Sequence, residues 1–158
     1  PGSSTALVAD VNQRIVRDIE DLNLFITLFY SEIDIIEKRF RWVHAGHEPA
    51  ILYEPSEDSF ESLGGEGLPL GVMEGWVYEE SEKQLYPGQI ILIGTDGIKE
   101  THNEQDELFG ADRFNRVNRD HAQLPATAII KHVIETMEQF PIPLERKDDE
   151  TLVVIKVL

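Results

Sequence analysis

The sequence predicts an α+β layered domain, on three observations. The predicted elements run in the order helix, several strands, two helices and a last strand. Short turns separate the successive strands, which favours mainly antiparallel pairing. The chain has 158 residues, of which 41% are hydrophobic, and this suffices for the core of one domain. We therefore expect residues 1–158 to belong to a single domain, with residues 1–4 as a cloning remnant or a natural linker.

The first half of the chain begins with a predicted helix. Residues 5–22 should form an amphipathic helix, because apolar residues such as Val8, Val11 and Ile15 recur at three- and four-residue steps. Residues 24–33 are predicted to form a strand. Their apolar side chains alternate onto both faces, which indicates a central strand that is covered on each side.

Shorter strands follow. Residues 39–45 and 50–53 are predicted to flank a tight turn at Gly46–Pro49, and residues 59–63 read as a further strand. Residues 76–83 carry acidic side chains at alternate positions, which indicates a strand at the edge of a sheet.

The second half contains the most apolar strand. Residues 89–93 are predicted to form a buried strand because they include the continuous apolar run Ile90–Ile93. Helices are predicted at 111–119 and 125–140, and residues 151–157 should close the chain as a β-branched strand.

The composition excludes several classes of protein. Thirty Asp and Glu against fourteen Lys and Arg give a net charge of −16, which disfavours nucleic-acid and membrane partners because their phosphates are repelled. Without cysteine the chain has no disulfides, thiolate catalysis or cysteine zinc sites. No apolar run is long enough for a transmembrane helix. These features suit a cytoplasmic protein.

The first candidate site is Thr95-Asp96-Gly97, directly after the predicted buried strand. A carboxylate at the end of a rigid strand can be held with its oxygens exposed, and such oxygens suit a hard cation such as magnesium or manganese. The alternative is an ordinary Asp-Gly turn, and taken alone this motif favours the turn.

The second candidate site lies at the start of the last strand. Asp148, Asp149 and Glu150 are adjacent carboxylates, which repel one another unless water or a cation separates their charges. Taken alone they are better explained as a polar strand cap. Asp96 and Asp148 are nevertheless the leading candidates for one composite site, provided that the fold brings them together.

Two other motifs have weaker chemical implications. His47 is a candidate general acid or metal ligand, although a structural, hydrogen-bonded histidine in the Gly46–Pro49 turn is the favoured interpretation. The glycine-rich loop Gly64–Gly71 has no lysine and does not lead into a helix, so it does not match a phosphate-binding loop.

The order and spacing of these motifs resemble one family. The set resembles the stress-response and sporulation, SpoIIE/RsbU-like branch of the bacterial metal-dependent (type 2C-like, PPM) serine/threonine protein phosphatases. The matching segments are an Asn-containing first helix, Phe25–Tyr30, Ala45–Pro49, Gly67–Gly71, Leu85–Gln89, Thr95–Glu100, Phe109-Gly110 and Asp148–Leu152.

The resemblance implies a layered sandwich of mainly antiparallel sheets flanked by helices, with two Mn²⁺ or Mg²⁺ ions at one sheet edge. Asp96 and Asp148 match metal-binding aspartates of the family, and Asp149 is a further candidate ligand. The implied activity is hydrolysis of phosphoserine or phosphothreonine by a metal-activated water. The implied substrate is a phosphorylated regulatory protein, similar to an anti-sigma-factor antagonist, in bacterial stress-response and sigma-factor signalling.

The chain also departs from the family pattern. It contains neither the Gly-Asp turn nor the Gly-His-Gly segment that precede this region in family members, so we expect the C-terminal part of a phosphatase domain without its N-terminal strands. Such a piece should be inactive alone and should form a homodimer through exposed sheet edges, or a strand-swapped arrangement. The alternative function is a non-catalytic pseudophosphatase module that binds a signalling partner. Gly94 also replaces a bulkier residue that is common before Thr-Asp-Gly.

Overall fold

The computed structural model describes residues 3–19, 22, 24–103, 105–140 and 149–158. Within these residues, the helices and strands follow one another in the predicted order, with one additional short helix. The elements are α1 (Ser4–Ile19), β1 (Leu28–Asp34), β2 (Arg39–Ala45), β3 (Ala50–Glu54), β4 (Ser59–Leu63), β5 (Glu80–Gln84), β6 (Ile90–Gly94), α2 (Asp96–Lys99), α3 (Gly110–Asp120), α4 (Ala126–Glu138) and β7 (Leu152–Lys156).

These elements form two compact units. The first comprises the described residues of Pro1–Pro49 with Gly64–Tyr86, and the second those of Ala50–Leu63 with Pro87–Leu158. The first unit contains a three-stranded sheet in the order β1-β2-β5, and the second a four-stranded sheet in the order β4-β3-β6-β7. Every pair of neighbouring strands in these two sheets is antiparallel, as predicted. The α+β class with antiparallel sheets and helices is therefore confirmed.

The core of the first unit lies between α1 and β2. Val8 of α1 is buried together with Val43 and Ala45 of β2. Asn12 is also buried, and both ends of its amide are bonded: Nδ2 donates to the carbonyl of Met73 (2.9 Å), and Oδ1 accepts from the amide of Gly71 (2.9 Å). Asn12 thereby attaches the loop that follows β4 to α1.

The core of the second unit lies between its sheet and the helices α3 and α4. Ile90 and Leu92 of β6 are buried with Phe114 of α3 and with Ile129 and Val133 of α4. β6 lies between β3 and β7, which places the most apolar strand at the centre of the sheet. The strand predicted at 89–93 is thus confirmed, and its apolar run is explained by burial on both faces.

Two strand predictions are wrong in part. β1 begins at Leu28 rather than at residue 24, and in the described sheet it pairs only with β2, so it is an edge strand and not a central one. Phe25 is 62% exposed, and Ile26 makes only an isolated bridge with Leu70. The apolar side chains on both faces of the predicted strand 24–33 therefore did not indicate that the described residues cover both faces.

The predicted edge strand at 76–83 forms only in its second half. β5 begins at Glu80, because Tyr78 turns into the core of the first unit and its hydroxyl donates to the carbonyl of Leu68 (3.1 Å). β5 does lie at a sheet edge, as predicted. Among the described residues, none of the helices is both long enough and apolar enough to cross a bilayer.

Candidate metal centre

The candidate centre is built on the end of β6. Ile90, Ile91 and Leu92 have at most 1% of their surface exposed, and the strand is bonded to β3 on one side and to β7 on the other. A strand held from both sides leaves little freedom for the residue that follows it. The regular pairing with β7 ends at Gly94 and Leu152, and Thr95 and Asp96 come directly after it.

Thr95 bonds the end of β6 to the segment that enters β7. Its amide donates to the carbonyl of Thr151 (3.1 Å). Its hydroxyl donates to the carbonyl of Asp149 (2.9 Å) and accepts from the amide of Thr151 (3.0 Å). Residues 54 positions apart in the chain are therefore hydrogen-bonded neighbours at one end of the β6–β7 pair.

Asp96 is the first residue of the short helix α2, and its side chain is exposed. One carboxylate oxygen, Oδ1, accepts from the amide of Gly97 (3.0 Å). The backbone of α2 is anchored below it, since Ile98 is buried and the Thr101 hydroxyl donates to the carbonyl of Gly97 (2.5 Å). Within the described part of the chain Oδ2 accepts no hydrogen bond, so it remains available to a cation.

Asp149, which comes before β7, lies at the same end of the sheet. Asp149 is exposed, and its backbone carbonyl is the one bound by Thr95. Asp148 lies outside the described residues, one position before Asp149. Thr95, which precedes the predicted ligand Asp96, is thus in direct contact with Asp149, which is itself a predicted ligand and follows Asp148 in the chain. The roles of Asp96, Asp148 and Asp149 as metal ligands remain predictions.

The donor chemistry at this end fits a hard divalent cation. Asp96 and Asp149 offer carboxylate oxygens, the donors that magnesium and manganese prefer, and both residues are exposed to solvent. Among residues 3–19, 22, 24–103, 105–140 and 149–158, no group of three or more His, Asp or Glu side chains could surround a metal. The described residues alone therefore do not form a three-ligand metal site.

The segment after α2 is ordered by one asparagine. Asn103 is buried, and its Oδ1 accepts from the amides of Gln105 (3.0 Å) and Glu107 (2.8 Å). Arg113 of α3 binds the Glu107 carboxylate, and this hydrogen bond and the charge of Arg113 lower the pKa of Glu107. The loop that follows α2 is therefore connected to α3 by polar contacts.

Comparison with known proteins identifies the family. A family model described as Stage II sporulation protein E, SpoIIE, matches residues 3–158. The chain belongs to the SpoIIE family. Phosphoserine phosphatase RsbU of Bacillus subtilis (strain 168) is 27% identical over 143 residues, which cover 90% of this chain and 42% of RsbU. The chain thus spans about two fifths of that relative. The resemblance predicted from the ordered motifs is confirmed.

Solved structures agree on the fold of this SpoIIE-family chain. The SiaA-PP2C domain of Pseudomonas aeruginosa matches with a TM-score of 0.80 at 20% identity, covering 96% of this chain and 60% of that one. RsbX, whose crystal structure was determined in complex with magnesium, matches with a TM-score of 0.64 at 15% identity, covering 97% and 64%. At these identities the similarity establishes the fold alone.

His47 occupies a bonded position in the first unit of the SpoIIE-family chain. Its Nδ1 donates to the carbonyl of Glu48 (2.8 Å), and its own carbonyl accepts from Nε2 of His44 (2.5 Å). The glycine-rich loop packs against the same strand end, where a β-carbon at Gly46 would lie 2.5 Å from Pro69. These contacts agree with the structural interpretation of both motifs.

One feature of the centre escaped the sequence interpretation. The Thr-Asp-Gly motif indicates a role for Asp96 and none for Thr95, whereas the Thr95 hydroxyl is the direct link between the two acidic segments. A hydroxyl residue immediately after a buried strand is a weak signal by itself. Its partners Asp149 and Thr151 are known only once β6 and β7 are paired.

Proposed function

We propose that the complete protein is a metal-dependent phosphatase that removes phosphate from phosphoserine or phosphothreonine on a regulatory protein. One observation carries the proposal: Thr95 bonds the segment of Asp96 to that of Asp149, so two carboxylate-bearing segments share one end of a rigid strand pair. Membership of the SpoIIE family and the similarity to the phosphoserine phosphatase RsbU support the choice of reaction.

Asp96, Asp148 and Asp149 are the proposed ligands of Mn²⁺ or Mg²⁺. Bound there, a divalent cation would lower the pKa of a coordinated water and offset negative charge on the phosphoryl oxygens. The chain's own contribution is to hold carboxylates at a solvent-exposed strand end that a phosphoprotein can reach. The magnesium complex of RsbX supports a divalent ion in a protein of this fold.

Charge makes such a cation necessary for substrate binding. The chain has a net charge of −16, and a phosphoryl group would be repelled from its surface. Dications bound by exposed carboxylates reverse the sign of the potential locally. The absence of cysteine suits the reducing cytoplasm, which is the compartment that we propose for this activity.

The 158 residues alone should bind metal weakly and hydrolyse phosphoesters slowly. Within the described residues the carboxylates do not form a group of three ligands, and the chain spans about two fifths of RsbU. We therefore propose that residues elsewhere in the complete protein finish the ligand set. Full activity of the 158-residue chain with manganese would contradict this proposal.

The test uses the full-length protein with manganese and a phosphoserine protein substrate. Asp96→Asn keeps the size of the side chain but removes a charged ligand. Mutating a residue that only hydrogen-bonds to a metal ligand typically costs about 10–100-fold in affinity or activity. We expect kcat/KM of Asp96→Asn to fall by at least that factor. Asp120→Asn, an exposed acid at the end of α3, is the matched control and should keep wild-type activity. Unchanged activity of Asp96→Asn would refute the assignment.

The pseudophosphatase alternative predicts a different result. A module that only binds a signalling partner would show no manganese-dependent hydrolysis in the full-length wild-type protein. It would still bind the partner, and Asp96→Asn would not weaken that binding. The observation that favours this alternative is the absence of a three-ligand group among the described side chains.

A further inference from the structure

The geometry points to Thr95 as a positioning residue of the metal centre. We propose that its hydroxyl sets the spacing between the segments that carry Asp96 and Asp149, and so determines how tightly the centre binds a divalent cation. This inference rests on the proposed function, because it assumes that these carboxylates bind metal. Thr95 itself is not proposed as a ligand.

The hydroxyl continues the strand pairing beyond the last regular residue pair. The β6–β7 ladder ends at Gly94 and Leu152. Beyond it, the Thr95 hydroxyl uses both of its hydrogen-bonding functions, donating to the Asp149 carbonyl (2.9 Å) and accepting from the Thr151 amide (3.0 Å). One side chain therefore holds the backbone of the acidic segment at two points.

Gly94, the residue before Thr95, is the last residue of β6 in the regular pairing with β7. Glycine has no side chain with which to pack the strand end against β7 or α2, and it favours a flexible backbone. A β-carbon at this position would lie 3.0 Å from the Ile98 side chain and 3.3 Å from the Thr151 carbonyl, so a side chain there would require its neighbours to shift by a few tenths of an ångström. The hydrogen bonds of the Thr95 hydroxyl are therefore side-chain contacts at a strand end where Gly94 supplies none.

Loss of the hydroxyl should change metal affinity more than chemistry. Asp96 follows Thr95 directly, and Asp149 is bonded to it through the backbone. Without the hydroxyl the carboxylates keep their identity, but the 149–151 segment loses two of its hydrogen bonds to β6 and can separate from it. A saturating metal concentration would draw the segments together again at the cost of part of the binding energy.

The experiment compares Thr95→Val with Thr95→Ser in the full-length protein. Valine keeps the branched shape but neither hydrogen bond, whereas serine keeps the hydroxyl. Binding of Mn²⁺ is measured from the electron paramagnetic resonance signal of the free ion, without any substrate. We expect Thr95→Val to weaken Mn²⁺ binding by about 10–100-fold, the loss that is typical when a residue supporting the metal ligands is mutated. The Mn²⁺ affinity of Thr95→Ser should stay near that of the wild type.

Activity then separates positioning from a general structural role. Phosphatase activity of Thr95→Val should approach the wild-type kcat at high manganese, with the half-activating concentration raised by a similar factor. Thr136→Val is the matched control, because the Thr136 hydroxyl bonds only the carbonyl of His132 within its own helix (2.7 Å). If Thr95→Val does not fold, Thr95→Ala removes the same hydroxyl with less bulk.

Several outcomes would overturn the inference. These are wild-type Mn²⁺ affinity in Thr95→Val, an equal loss in Thr95→Ser, an equal loss in Thr136→Val, or a fall in kcat that manganese does not restore. Failure of the proposed function can be distinguished from failure of this inference. In that case the wild type would bind Mn²⁺ and the valine and serine variants would differ as predicted, but the wild type would hydrolyse no phosphoester. A wild type that binds no Mn²⁺ would refute both.

Discussion

Gly67 lies against the carbonyl oxygen of His44, so closely that a β-carbon on Gly67 would be 1.8 Å from that oxygen. The obstacle is backbone, which cannot rotate away as a flexible side chain can. The glycine of the Gly67–Gly71 motif is thus required for packing the loop on the end of β2. This close approach gives the motif a structural role that is independent of any chemistry.

Gly67→Ala should therefore destabilise the protein. Relieving the overlap requires the loop or the end of β2 to move, and we expect a loss of about 1–3 kcal/mol in the free energy of unfolding. Chemical denaturation measures the change. Gly64→Ala is the control, since its β-carbon would meet Pro49 at an ordinary 3.4 Å. Equal stability of the two variants would contradict the packing role.

The buried amide of Asn12 supplies a second prediction. Asn12→Asp keeps an acceptor for the Gly71 amide but replaces the donor to the Met73 carbonyl with a buried carboxylate. We expect a loss of about 1–3 kcal/mol in the free energy of unfolding at neutral pH, with partial recovery in acid as the carboxyl becomes protonated. The exposed neighbour substitution Gln13→Glu should have little effect. A pH-independent loss would show that charge burial is not the cause.

Tyr53 provides a prediction about pH. Burial raises the pKa of Tyr53, and the hydrogen bond to Asp58 (3.1 Å) raises it further. Asp58→Asn should lower this pKa toward the ordinary value without reaching it, because the burial remains. Because the raised pKa favours neutral Tyr53 in the folded state, its contribution to the free energy of unfolding is fully present below pH 10. That contribution is lost as the pH rises through the folded-state pKa.

The Tyr53 pKa can be followed through its ring signals by nuclear magnetic resonance at alkaline pH. Glu57→Gln, in the same turn, is the control and should leave the titration unchanged. The Arg119–Asp58 ion pair is substantially exposed, with 43% and 58% of the side chains accessible, so the pair itself should contribute little to stability. A Tyr53 pKa that does not fall in Asp58→Asn would contradict the assigned cause.

Self-association of the 158-residue chain is the fourth prediction. β1 pairs only with β2 in the described sheet, and Ile33 near its end is 39% exposed, so a second copy can pair with the open edge. We expect a dimer by sedimentation velocity, strengthened by salt because screening reduces the repulsion between chains of charge −16. Ile33→Lys should shift the chain to monomer, whereas Val77→Lys, at a residue 79% exposed outside the strands, should not. A monomer at high concentration and high salt would refute the prediction.

Much of the fold was predictable because local patterns determined it. β2 and β4 have the predicted bounds 39–45 and 59–63, and the apolar run Ile90–Ile93 correctly marked a strand buried on both faces. The predicted strand bounds were wrong where tertiary contacts determine which residues join a sheet. Residues 24–27 have strand-like composition but no neighbouring strand in the described sheet, and residues 76–79 leave the ladder so that Tyr78 can enter the core.

The amino-acid sequence by itself determined the family and the candidate ligands, since the Thr-Asp-Gly and Asp-Asp motifs are local and their order is specific. Tertiary structure alone decided that Thr95 and Asp149 are in contact, 54 residues apart. The physical reason is that antiparallel pairing of β6 with β7 sets which strand ends meet. That pairing depends on burying Ile90 and Leu92 against α3 and α4, and not on any pattern near the acidic residues.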